Sequence, residues 1–142
     1  DGILNLIKNI QQNHIRNIKI YNNNVLYLLE KNNFENLFDE IWVLFPDPWP
    51  KVRHNKRRLI NRSFLKKIYD LIHIRGKVYI ATDSNEYFIS ILYDIYKTKF
   101  FYWVNDKGKK WEYSYLKIPE TKYFKKSLKN GRKAMFIELS KI

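Results

Sequence analysis

One carboxylate in this chain stands where the backbone has little freedom left. In Phe45-Pro46-Asp47-Pro48-Trp49-Pro50-Lys51, three prolines surround Asp47 and restrict φ on both sides of it. An acidic group held this way can stabilise developing positive charge, or accept from the N–H edge of a base. Trp49 offers a flat face for stacking, worth about 1–3 kcal/mol per base in single-strand binders. The same residues also suit a plain proline-rich turn with a local Asx-type bond. Lys51 and the run Arg53-His54-Asn55-Lys56-Arg57-Arg58 follow at once and place five cations in eight residues. Such a run is usually a solvated face, but on the rim of a pocket it grips phosphates. Asp83, with Glu86 three residues later, reads as a capping box. A cap does not exclude a second role. His14, His54 and His73 share no ligand spacing, and the chain has neither a nucleophile elbow nor a Gly-rich phosphate loop.

The elements that must position these groups follow from periodicity. Ile3, Leu4, Ile7 and Ile10 recur at helical spacing. Ile18 to Tyr21 reads as a short strand closed by Asn22, Asn23 and Asn24, and Val25 to Glu30 as a helix. Glu40 to Phe45 is nearly all β-branched or aromatic, as a strand buried on both faces should be. Phe64, Leu65, Ile68, Leu71 and Ile72 mark a helix face, with Gly76 as its stop. Lys77 to Thr82 is the next strand, and Phe88, Ile91, Leu92 and Ile95 the next helix. Phe100 to Val104 and Ala134 to Leu139 are two more strands. This alternation predicts an α/β protein with a mainly parallel sheet and no domain boundary within residues 1–142. In such sheets ligands bind beyond the carboxyl ends of the strands, where Asp47 and Asp83 both fall.

Composition limits the functional classes. The 142 residues carry 27 Lys plus Arg against 14 Asp plus Glu, a formal charge of +13, with 17% aromatics and no cysteine. Disorder is excluded by the aromatics, and disulfide frameworks, thiol nucleophiles and cysteine zinc sites by the missing cysteine. The longest uninterrupted apolar run, Ile41 to Phe45, has five residues, far from the ~18 that a membrane span needs. The positive charge points to a polyanionic partner. Part of it is background, since Lys, Asn and Ile alone make up 53 residues.

FPDPWPKVRHNKRRL closely resembles the central signature of the bacterial tRNA (guanine-N7-)-methyltransferases. The likeness extends to Asn17-Ile18 through Leu29, Ala81-Thr82-Asp83, Trp103 and Thr121-Lys122-Tyr123. It implies a Rossmann-like, S-adenosylmethionine-dependent methyltransferase fold in a cytoplasmic enzyme that methylates N7 of a variable-loop guanine in tRNA. The partner would be tRNA, with no metal and no membrane, and the chain a monomer. By this resemblance Asp47 is catalytic and lies beside the methyl donor, and Asn24 helps to hold the donor's adenosine. Lys51, Asp83, Thr121, Lys122, Tyr123 and Phe124 contact substrate, and Arg53, His54, Asn55, Lys56, Arg57 and Arg58 contact RNA. Phe124 stands where the family has a glutamate, and Asn24 where it has an aspartate. The family's Gly-rich donor loop is absent, and the chain opens at Asp1-Gly2 inside a helical pattern. An N-terminal part with the first two strands is therefore expected to be missing, and this piece alone to be inactive. The competing reading is a non-catalytic, basic RNA-binding remnant of such an enzyme.

Overall fold

A computed structural model describes residues 2–31, 35–112 and 121–142. The chain divides into two compact units, Asp1–Asn33 and Phe34–Ile142. The first contains α1 (Gly2–Gln12) and α2 (Val25–Lys31). Between them residues 18–21 form no strand, contrary to the β-rich reading. A short β-rich run forms a strand only where a neighbouring ladder takes up its N–H and C=O groups, and the strands among the described residues lie in the second unit.

The second unit is a four-stranded sheet of β1 (Phe38–Leu44), β2 (Ile72–Thr82), β3 (Phe101–Trp103) and β4 (Met135–Lys141), in the order β1-β2-β4-β3. β1 and β2 pair in parallel, while β4 runs antiparallel to both β2 and β3. Three strands thus share a direction, but only one of the three neighbour pairs is parallel, because β4 inserts between β2 and β3. Sequence alternation reports neither strand order nor this insertion.

Helices α3 (Arg62–Leu71) and α4 (Asn85–Thr98) pack on one face of the sheet, through Tyr69 against Phe101 and Phe88 against Trp103. Phe64, Leu65, Ile68, Ile91 and Ile95 bury there with Val78, Ile80, Ile137 and Leu139. The opposite face carries Trp42, Tyr79 and Glu138 in register across three strands, with the two rings 4.3 Å apart. β1 is an edge strand with only Val43 buried, so the expectation of burial on both faces fails.

Two helix boundaries also differ from expectation. α3 begins at Asn61, whose side chain accepts from the Phe64 N–H, and ends where Ile72 turns directly into extended backbone. Gly76 is not its stop; it lies inside β2, at a register shift opposite β1. A Cβ there would sit 2.8 Å from the Asp39 carbonyl oxygen, so glycine permits the close approach of the two strands. α4 is capped by Ser84, which accepts from the Tyr87 N–H at 3.3 Å, and not by Asp83. At its other end Lys99 takes a left-handed conformation, φ 54°. Lys99→Gly is expected to raise stability by about 1 kcal/mol, because glycine adopts this conformation without the Cβ clash. An unchanged urea midpoint would count against that strain.

Candidate active site at the carboxyl ends of β1 and β2

The Asp47 loop is built from the backbone outwards. The Phe45 N–H donates to the Ala81 carbonyl at 2.8 Å, extending the β1–β2 ladder by one residue. Pro46 has no N–H to continue it. Phe45 and Trp49 both take left-handed conformations, φ 51° and 45°, and so turn the chain sharply on either side of Asp47. From below, the Arg58 Nε–H donates to the Pro48 carbonyl at 2.8 Å. Val52–Arg57 form a 3₁₀ turn that folds back over the loop. This brings the Arg57 guanidinium 5.0 Å from the centre of the Trp49 ring and the His54 ring edge-on to it at 5.7 Å.

Asp47 itself is exposed, and its carboxylate has no hydrogen bond or ion pair among the described residues. The Asx-type bond that would make it a turn residue does not form. Its charge is instead felt by Tyr87 beneath the loop. Burial pushes the Tyr87 hydroxyl above its ordinary pKa, Asp47 adds to that rise, and the Ile60 N–H bond and the Arg58 charge oppose it. The Tyr87 hydroxyl accepts from the Ile60 N–H at 2.8 Å, and its ring carries the Arg58 guanidinium at 5.1 Å.

Asp83 ends the adjacent strand. Since Ser84 caps α4, the carboxylate is left for another partner, and Asp83 Oδ2 accepts from Arg132 Nη1 at 3.2 Å. Helix α5 (Lys122–Lys129) reaches the same end of the sheet. Phe124 packs between Phe45 and Phe136, 6.3 Å from each ring. Thr121 caps α5 by accepting from the Phe124 N–H, Tyr123 is exposed, and the Lys122 side chain lies outside the described residues.

The expected site residues therefore separate. Asp47, Asp83 and Phe124 come together at one end of the sheet, where Phe124 is a packing residue in an aromatic cluster and not a substrate-facing carboxylate. Lys51, Arg53, Asn55, Lys56 and Arg57 are exposed along the 3₁₀ turn. Arg58 is buried at 7% exposure and spent on Pro48 and Tyr87, so unlike its exposed neighbours in the run it is not displayed at the surface for the RNA contact expected of it. His54 is half-buried against Trp49. Asn24 belongs to the other unit, where its side-chain oxygen accepts from the Leu26 N–H at the start of α2. That oxygen is committed to a cap, whereas the Asp47 carboxylate is exposed and without a hydrogen bond or ion pair among the described residues.

Sequence reasoning missed Tyr87, Arg132 and Asn105. Asn105 is buried, accepting from Trp103 Nε1–H and the Glu138 N–H and donating to the Phe136 carbonyl, which fixes β3 on β4. A tyrosine at a helical core position was a visible signal. Asn105 and Arg132 gave none, because the partners that define their roles, on β4 and at the end of β2, are 31 to 49 residues away. Among the described residues no helix is long and apolar enough to cross a membrane.

Comparison with known proteins agrees with the resemblance read from the signature. A protein of Wolbachia pipientis wMel named tRNA (guanine-N(7)-)-methyltransferase is 35% identical over 142 residues, which is 99% of this chain and 60% of that protein. One of the same name from Leptospira interrogans is 44% identical over 87 residues, 61% of this chain and 40% of that protein. The chain thus spans about three-fifths of the first relative's length. A solved structure described as an antibiotic-related methyltransferase covers 76% of this chain and 53% of its own, at 17% identity and a TM-score of 0.42, too distant to bear on the site. A family model described as "Putative methyltransferase" matches residues 1–137. With that match over nearly its whole length, and with an α/β sheet that fits the Rossmann-like methyltransferase fold, the chain belongs to this methyltransferase family.

Proposed function

We propose that this chain is the catalytic-loop portion of a tRNA (guanine-N7-)-methyltransferase. The observation that carries the reading is the Asp47 carboxylate, held rigidly at the carboxyl end of β1 and engaged by no group among the described residues. Holding a buried or rigid charge without using it is costly, and such groups mark functional sites. The names of the relatives supply the substrate class.

S-adenosylmethionine supplies a methyl on a sulfonium. Guanine N7 has a lone pair and needs no base to deprotonate it. Its lone pair attacks the methyl carbon, the N–C bond forms as the S–C bond breaks, and the sulfur leaves as a neutral thioether. The positive charge passes to the purine ring. Asp47 stabilises that charge as it develops, and its fixed loop means no reorganisation is needed at that moment. Asp83, on the neighbouring strand end, accepts from the guanine N–H edge. Lys51, Arg53, Lys56 and Arg57 hold backbone phosphates, which positions the tRNA without reading its sequence.

The test is transfer of labelled methyl from S-adenosylmethionine to unmodified tRNA, using the protein with any coding sequence upstream of Asp1 included. Label at N7 of a variable-loop guanine, located by alkaline borohydride–aniline scission, is the expected result. Tight, salt-sensitive tRNA binding with no transfer would instead establish the RNA-binding remnant.

A further inference from the structure

Two routes connect α5 to the two candidate carboxylates. At its start, Phe124 packs on Phe45, the residue from which the Asp47 loop departs. At its end, Arg132 reaches across 49 positions of sequence to hold Asp83. Arg132 is well placed to hold rather than follow. Its N–H donates to the Ser127 carbonyl at 3.0 Å, its own carbonyl accepts from the Ser127 hydroxyl at 3.5 Å, and Ser127 is 3% exposed. Gly131, at φ 66°, makes the left-handed turn that brings the chain back over the helix end. Of the Asp83 oxygens, Oδ2 takes the guanidinium and Oδ1 has no partner among the described residues. The pair is itself partly solvated, with side-chain exposures of 59% for Arg132 and 21% for Asp83. A bridge of that kind adds little to stability, so its evident consequence is the direction in which Asp83 points.

We propose that Arg132 is a positioning residue that fixes the Asp83 carboxylate with Oδ1 presented to the substrate base, making α5 a brace that aligns both strand-end carboxylates. The inference rests on the reading of the site as a guanine-N7 methyltransferase. Arg132 does not touch the reacting atoms; it acts through Asp83.

Methyl-transfer kinetics of Arg132→Ala, Arg132→Lys, Asp83→Asn and the Arg132→Ala/Asp83→Asn double variant test it. Hydrogen–deuterium exchange over residues 82–85 is measured on the same proteins. Arg132→Ala is expected to lower kcat about 10- to 100-fold through misplacement of Asp83, with the KM for tRNA unchanged and exchange over residues 82–85 faster. Arg132→Lys should restore most of the rate, and the double variant should be no slower than Asp83→Asn alone. A raised KM with normal kcat would make Arg132 a phosphate contact and overturn the proposal, as would additive losses in the double variant. Unchanged exchange in Arg132→Ala also overturns it. A wild-type protein that transfers no methyl, yet whose exchange responds to Arg132→Ala, defeats the tRNA methyltransferase reading and leaves the brace standing.

Discussion

Replacing Asp47 by Ala is expected to slow methyl transfer at least about 100-fold, ~3 kcal/mol of barrier, while the Kd for tRNA changes less than about threefold. The asymmetry follows from where the charge appears. Before transfer the guanine is neutral, and the carboxylate gains little from it beyond hydrogen bonds. At the transition state positive charge moves from the sulfonium onto the purine, and the attraction between the carboxylate and the base strengthens as it arrives. An interaction made only in the transition state lowers kcat when removed and leaves ground-state binding alone. Asp47→Asn preserves the shape of the side chain and discards its charge, so it should lose nearly as much as the alanine variant. Single-turnover rates with labelled S-adenosylmethionine, set beside filter-binding affinities, separate the two quantities. Equal losses of rate and affinity would mean that Asp47 binds tRNA and does not assist the reaction.

Arg58→Ala has the second largest expected effect, and it falls on stability. Arg57→Ala, one residue away, should behave oppositely. Arg58 is buried, donates to the Pro48 carbonyl and lies on the Tyr87 ring. Alanine removes the packing of its long stem and leaves a carbonyl unsatisfied, so a loss of about 3 kcal/mol is expected. A chemical denaturation midpoint checks this. Arg57 is exposed, with the Trp49 ring beneath it. Its removal should leave the midpoint nearly unchanged and reduce the slope of log affinity against log salt by about 0.7–0.9, the share of one phosphate contact. The Arg58 variant, measured while still folded, should keep the wild-type slope. If both variants change the slope equally, the burial of Arg58 is not what holds it from the RNA.

Sequence alone treats Arg53 to Arg58 as one basic run, and that is where its resolution ends. A 3₁₀ turn has three residues per turn, and the run emerges from it with Arg57 outward and Arg58 inward. Nothing in the order of the letters distinguishes the two. The α/β alternation, the helices through Phe64–Ile68 and Phe88–Ile95, and the placing of Asp47 and Asp83 at strand ends were all legible, because each depends on local periodicity and on proline. The Asp83 cap was misplaced by one residue. Ser84 and Asp83 are both good caps, and a partner 49 residues distant decides between them. The antiparallel entry of β4 was hidden for the same reason: it depends on pairings between strands far apart in the chain.

The left-handed backbone at Phe45 and Trp49 has a consequence for how this loop can change over evolutionary time. Bulky residues in that conformation cost of order 1–3 kcal/mol each, and each is followed by a proline that narrows the alternatives further. Glycine at either position would relieve the strain, at the loss of the ring contacts with Phe124, or with His54 and Arg57. It would also give back the freedom that the loop denies to the residue midway between them. At these two positions, if Asp47 serves the proposed reaction, holding the loop rigid and lowering backbone strain ask for different residues.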